Sequence, residues 1–144
     1  MMRIEQQADL PVFFLPRGTA LVVDQDRDDL FYYAGILRGM GFEVKAYTRC
    51  QEALRCLEQV SVDFVVVNQG SAAFEWQVVV QRAVARDRHL PVIVLTRKLD
   101  VGSYLEAVHL GATDYLEKPL TPEQVEHLVT TYSQPSLAKM GHTI

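Results

Sequence analysis

The chain has 144 residues, 49% hydrophobic and 22% charged, and its 18 Asp and Glu against 14 Lys and Arg leave a net charge of −4. That apolar content excludes whole-chain disorder, two cysteines exclude a disulfide scaffold, and one domain burying roughly 70% of its unfolded surface is expected. The longest apolar strands fall well below the ~20 residues of a membrane span, and the acidity argues against a nucleic-acid surface; a cytoplasmic domain with no membrane and no nucleic-acid contact of its own is the expectation.

Residues 1–18 read as an N-terminal arm laid against the domain. Glu5 and Asp9 interrupt any positive leader, and Val12–Leu15 is too short for a signal-peptide core. Ala20–Val23 is a continuous apolar run, as in a strand buried on both faces. After it, Leu30, Tyr33, Ala34 and Leu37 recur at helical spacing behind Asp26 and Asp28, which favour a helix amino end, and Gly39 and Gly41 supply the stop. Phe42–Tyr47 alternates as an edge strand does. Thr48 is placed to cap a second helix carrying Ala53, Leu54, Leu57 and Val60 on one stripe. Strand Phe64–Val67, a helix through Val79, Val80, Ala83 and Val84, and strand Val92–Leu95 follow. A helix from about Val101 to Leu110 is ended by Gly111, a short strand surrounds Tyr115 and Leu116, and Pro122 opens a last helix through Val125, Leu128 and Val129. Residues 133–144 lack periodicity and read as a C-terminal tail or linker stub.

Parallel strands need crossover helices, and helices need a sheet to cover, so the alternation predicts a three-layer α/β sandwich over 19–132. Right-handed crossovers favour a five-stranded parallel sheet in the order 2-1-3-4-5, whose function gathers beyond the carboxyl ends of its strands. The residues placed there are Asp24, Gln25 and Asp26, then Asn68, then Thr96, then Lys118 and Pro119.

The stretches Leu21–Asp26, Asp63–Asn68, Pro91–Thr96 and Gly111–Pro119, in this order on these elements, resemble the receiver domain of two-component response regulators, a flavodoxin-like fold of the CheY-like superfamily. The resemblance implies a non-enzymatic signal-transduction module. A working member accepts a phosphoryl group on an aspartate ending the third strand, with Mg²⁺ held by that aspartate and an acidic pair after the first. Asp24 matches one member of the pair, Thr96 and Lys118 match the phosphoryl-binding positions, and Tyr115 matches an aromatic position associated with switching. Pro119 is expected behind a cis peptide.

Departures from that pattern carry the functional reading. The acceptor position is Asn68, and an amide is not the carboxylate nucleophile that the reaction needs. The second acid is Gln25, whereas Mg²⁺ is usually held by one or two carboxylates, so no cofactor and no metal site are expected. Asp26 is better used as the cap of the first helix than as a replacement ligand. The usual Met-Pro and Gly of the following loop are replaced by Ser71-Ala72 and Trp76, and Trp76 is a candidate cover for the pocket. Lys118 is then expected to be a structural tether, bonded to Asn68 or paired with Asp24.

Together these features predict a pseudo-receiver, acting by phosphorylation-independent protein contact, and one that can serve as the regulatory domain of a larger transcriptional or signalling protein. Its partner face would be the fourth helix, fifth strand and fifth helix, with Arg97, Lys98, Tyr104, Glu106, His109, Asp114, Glu117, Glu123 and Glu126, docking an effector or a second copy. The competing reading is a small-molecule or anion-binding domain that uses the strand-end crevice. Cys50 and Cys56, six apart on one helix and about 9 Å apart along its axis, are expected on different faces and cannot pair. The four histidines have no metal-ligand spacing.

Overall fold

The computed structural model describes residues 17–132, along which five strands alternate with five helices. They are β1 (Thr19–Val23), α1 (Arg27–Gly39), β2 (Glu43–Tyr47), α2 (Cys50–Gln59), β3 (Phe64–Asn68), α3 (Trp76–Arg86), β4 (Val92–Thr96), α4 (Val101–Leu110), β5 (Asp114–Glu117) and α5 (Pro122–Tyr132). Every strand pair is parallel and the order is β2-β1-β3-β4-β5, as the alternation predicts. Arg17 and Gly18 already join the sheet margin: the Arg17 N–H donates to Gly41 O, and Gly18 O accepts from the Glu43 N–H. The remaining 1–16 of the arm and the tail 133–144 lie outside the described residues.

The sheet carries a core on each face. Leu21, Val23, Val65, Val67, Val92 and Val94 pack under α2, α3 and Ala107 of α4. The alternate residues Ala20, Val22, Phe64, Val66, Ile93 and Leu95 pack under Tyr33 and Leu37 of α1 and Val125, Leu128 and Val129 of α5. This double burial is why the central strands read as unbroken apolar runs, while edge strand β2 keeps Glu43 and Lys45. The sandwich brings the carboxyl ends of β1, β3, β4 and β5 together.

Local signals set the helix ends. Asp26 caps α1, accepting from the N–H groups of Asp28 and Asp29, as expected. Gly111 ends α4 in the left-handed conformation at φ 98°, where a Cβ would come within 3.2 Å of Val84. Three expectations are corrected. Thr48 does not cap α2: Arg49 holds that position with an extended backbone and no side-chain hydrogen bond. Cys50 and Cys56 do not lie on different faces, one toward the core and one away, since both are buried in the core under α2. Trp76 covers no pocket; it begins α3 and is buried beside Val79 and Val80. No helix among the described residues is long and apolar enough to cross a membrane.

Candidate functional site

Two networks meet at the strand ends. The first is ionic. Asp24 follows β1 and is 2% exposed; its Oδ1 accepts the Asp26 N–H at 2.9 Å, and its Oδ2 accepts Lys118 Nζ at 2.8 Å. Lys118 Nζ also donates to Asp29 Oδ2 at 2.7 Å, from the first turn of α1. Arg97 Nη2, beyond β4, donates to the same Asp29 oxygen at 2.6 Å and to Asp26 Oδ2 at 3.1 Å. Of the two expected partners, Lys118 bonds Asp24, and it adds Asp29; no bond to Asn68 is formed among the described residues. Arg97 turns back onto α1 instead of joining the α4 face. Burial pushes the Asp24 carboxyl above its ordinary pKa, outweighing the bonds from Lys118 and Asp26; the Asp29 and Asp28 N–H groups hold that of Asp26 below it.

The second network is built from amides and hydroxyls. Gln25 and Ser71 clasp each other: Gln25 Nε2 donates to Ser71 Oγ at 3.0 Å, and the Ser71 N–H donates to Gln25 Oε1 at 3.0 Å. The turn between needs Gly70 at φ 69°, because a Cβ there would lie 2.9 Å from Gln25 Oε1. Gln69, directly after Asn68, accepts from Tyr115 OH at 2.7 Å and donates to Ser103 Oγ at 3.1 Å. Ser103 in turn donates to Asp100, the cap of α4. Tyr115 is thereby held inward, with Tyr104 edge-on at 6.0 Å. The Thr96 hydroxyl is spent locally, donating to Lys98 O at 2.9 Å and accepting its N–H at 3.2 Å.

Asn68 is 6% exposed at the carboxyl end of β3, and its Oδ1 has no hydrogen-bond partner among the described residues. It lines an open cleft of 720 Å³ with Gln25, Gln69, Ser71, Thr96 and Lys98. Below it, the Lys118–Pro119 peptide is cis, and Tyr32 and Tyr33 hydroxyls bond the backbone of Leu120 on α1's side.

A family model for the response regulator receiver domain matches residues 20–130. The chain belongs to the response regulator receiver family. The transcriptional regulatory protein PrrA of Mycobacterium tuberculosis is 35% identical over 99 residues, 69% of this chain and 42% of PrrA. FixJ of Bradyrhizobium diazoefficiens, also a transcriptional regulatory protein, is 28% identical over 116 residues, 78% of this chain and 55% of FixJ. The chain thus spans about half the length of these relatives. Among solved structures, a CheY-like receiver domain from Methanospirillum hungatei aligns with a TM-score of 0.78 at 19% identity, covering 87% of this chain and 98% of that one. That likeness establishes the CheY-like, flavodoxin-like sandwich, and the family places this chain in two-component signalling.

A receiver's Mg²⁺ needs free oxygens, and the set present does not fit it. Both Asp24 oxygens are engaged, those of Asp26 are taken by the α1 cap and Arg97, both polar ends of the Gln25 amide are held by Ser71, and Asn68 Oδ1 is unpartnered but buried. On the α4 side, the structure adds residues that the sequence reading left out. Leu99, Val101, Leu105 and Val108 are exposed beside Tyr104, Val101 at 73%. Asp29, Gln69 and Ser103 are the other unforeseen members. An acid in the first turn of the helix after β1, on the strand-end side, was an available signal for Asp29.

Proposed function

We propose that this receiver works by phosphorylation-independent contact with a protein partner. The observation that carries the reading is the state of Lys118: its ammonium is already matched by Asp24 and Asp29, while the position at which working receivers accept the phosphoryl group is the amide Asn68. No developing charge is left for Lys118 to bind, and no carboxylate is there to attack phosphorus. Mg²⁺ binding is correspondingly weak or absent. Tyr115 is held inward by its bond to Gln69, a contact made within this chain.

The docking face in this reading is α4–β5–α5, supported by the exposed Val101, Tyr104, Leu105 and Val108; soluble monomers seldom leave such a patch uncovered. Either an effector or a second copy fits it. The names of PrrA and FixJ support a regulatory role within a larger cytoplasmic transcriptional or signalling protein, without nucleic-acid contact by this domain.

The test is incubation with acetyl phosphate and Mg²⁺, followed by intact mass measurement. No phosphoryl adduct is expected, and its appearance refutes the reading. Asn68→Asp alone restores little, because Gln25 still offers no carboxylate to a metal; robust phosphorylation of that variant assigns Gln25 no blocking role. A second reading, a small polar ligand in the cleft, is favoured by the unpartnered Oδ1 of Asn68, a residue of the cleft wall. A large thermal shift with a nucleotide or phosphometabolite decides for it.

A further inference from the structure

On the opposite flank from α4, α1 carries side chains that the fold itself does not use. Arg27, Phe31 and Arg38 recur at spacings of four and seven and form one outward stripe. Phe31 is 78% exposed, more than any other large apolar side chain among the described residues. Arg27 is the first residue of α1, where a cation opposes the helix dipole and local stability gains nothing from it. Neither arginine enters an ion pair among the described residues, whose salt bridges use Lys45, Arg82, Arg97 and Lys118 instead. The stripe walls a groove of 440 Å³ whose other side is Ala46 and Thr48, at the end of β2; Asp28 is its single acid. β2 is an edge strand, so one side of its backbone has no partner strand.

We propose that this groove docks an extended acidic segment of a protein partner, distinct from the partner on α4. Two of the segment's carboxylates pair with Arg27 and Arg38, and an apolar side chain between them covers Phe31. The complementarity is local, since the chain as a whole is acidic with a net charge of −4. Eleven helical positions separate the arginines, about 16 Å along α1, which an extended chain spans in roughly five residues. An extended segment also suits the open edge of β2, where main-chain groups can add to side-chain pairing. A bilayer is a poor fit, because the cations stand at the two ends of a concave groove rather than across a flat surface. A nucleic acid is a poor fit because two arginines flanking one acid neutralise few phosphates.

The test uses a labelled peptide with two Glu five residues apart, a Leu between them and Gly-Ser flanks, read by fluorescence anisotropy and by amide chemical shifts. Saturable binding is expected, with shifts confined to α1 and β2. Arg27→Glu/Arg38→Glu and, separately, Phe31→Ala are expected to weaken it by about tenfold while leaving circular dichroism unchanged. No binding, equal binding of the Lys-for-Glu peptide, or indifference to both variants overturns the proposal. So does binding of single-stranded DNA or anionic vesicles that the double variant abolishes, which assigns the arginines to those ligands. Self-association of the chain abolished by the same variant assigns the groove to a second copy and also overturns it.

Discussion

The strand-end region divides into an ionic half and an amide half, and they are finished differently. In the ionic half, four ion pairs link Asp24, Asp26, Asp29, Lys118 and Arg97, with Lys118 and Asp24 almost out of solvent. In the amide half, Gln25, Gln69, Ser71, Ser103 and Tyr115 are bonded through neutral groups, and Asn68 is left with an unmatched oxygen in an open cleft. The contrast shows two ways of tying strand ends together, one through charge and one through neutral hydrogen bonds. Lys118 is held by Asp29 from α1 as well as by Asp24, and the loop after β3 is tied to the end of β1 by the Gln25–Ser71 clasp. Charge gathers in one half, three carboxylates against two cations, and the named side chains of the other are neutral.

The largest break comes from removing the central cation. Lys118→Met leaves Asp24 buried without its partner, a loss of about 3–5 kcal/mol for a severed buried pair. Asp24→Asn is milder, because Lys118 keeps Asp29; about 1–2 kcal/mol is expected, the scale of one hydrogen bond to a charged group. Urea unfolding followed by the fluorescence of buried Trp76 ranks the two. If Asp24→Asn proves the more damaging, Asp29 is not the substitute counter-charge described here.

The ease with which the sequence revealed each part follows from the range of the interactions involved. Strands buried on both faces announce themselves as unbroken apolar runs, and the helix ends at Asp26, Gly111 and Pro122 are local chemistry, so the sandwich and its order were legible. The strand-end position of Asn68 and Gln25 followed from the same alternation and the resemblance. The Lys118–Asp29 bond joins residues 89 apart, and no periodicity reports it. Gln69 carries no signal of its own, because a polar residue after a buried strand looks like any loop residue until Tyr115 and Ser103 converge on it. Trp76 failed for the opposite reason: its position beside the loop suggested a cover, but α3 begins at that residue and turns the indole into the core. The α4 face was read for its charges, whereas its exposed apolar side chains decide its character.

Breaking the amide half should cost less and should change shape more than stability. Gln69→Leu removes the acceptor of Tyr115 and the donor to Ser103, a loss of about 1–2 kcal/mol for two neutral hydrogen bonds. Its sharper effect is on position: the Tyr115 ring is freed to leave its inward place, and hydrogen exchange at the α4 amino end rises. Unchanged exchange in α4 would mean that Gln69 does not couple β3 to that face. Gln25→Ala cuts the clasp to Ser71 at exposed positions, so about 0.5–1 kcal/mol is expected, with faster exchange confined to the loop before α3.

The gentlest probe is pH, and it separates the halves without a large structural insult. Burial raises the Asp24 pKa above its unfolded value of about 3.9, so the folded state holds that proton more tightly than the unfolded chain does. Stability from this group is therefore greatest below about pH 3.9 and falls as the pH rises through the folded value. Asp26, whose pKa is lowered by the N–H groups it caps, acts in the other direction: its contribution is present above about pH 3.9 and is lost as the pH falls through its depressed value. Wild-type stability mixes the two, and the Asp24→Asn variant isolates one. Measured by urea unfolding across the acid range, its deficit relative to wild type should shrink as the pH rises, since the variant escapes the penalty of ionising a buried carboxyl. A deficit that grows with pH would mean that the Lys118 ion pair outweighs desolvation, and that the ionic half gains stability from its charges rather than losing it to their burial.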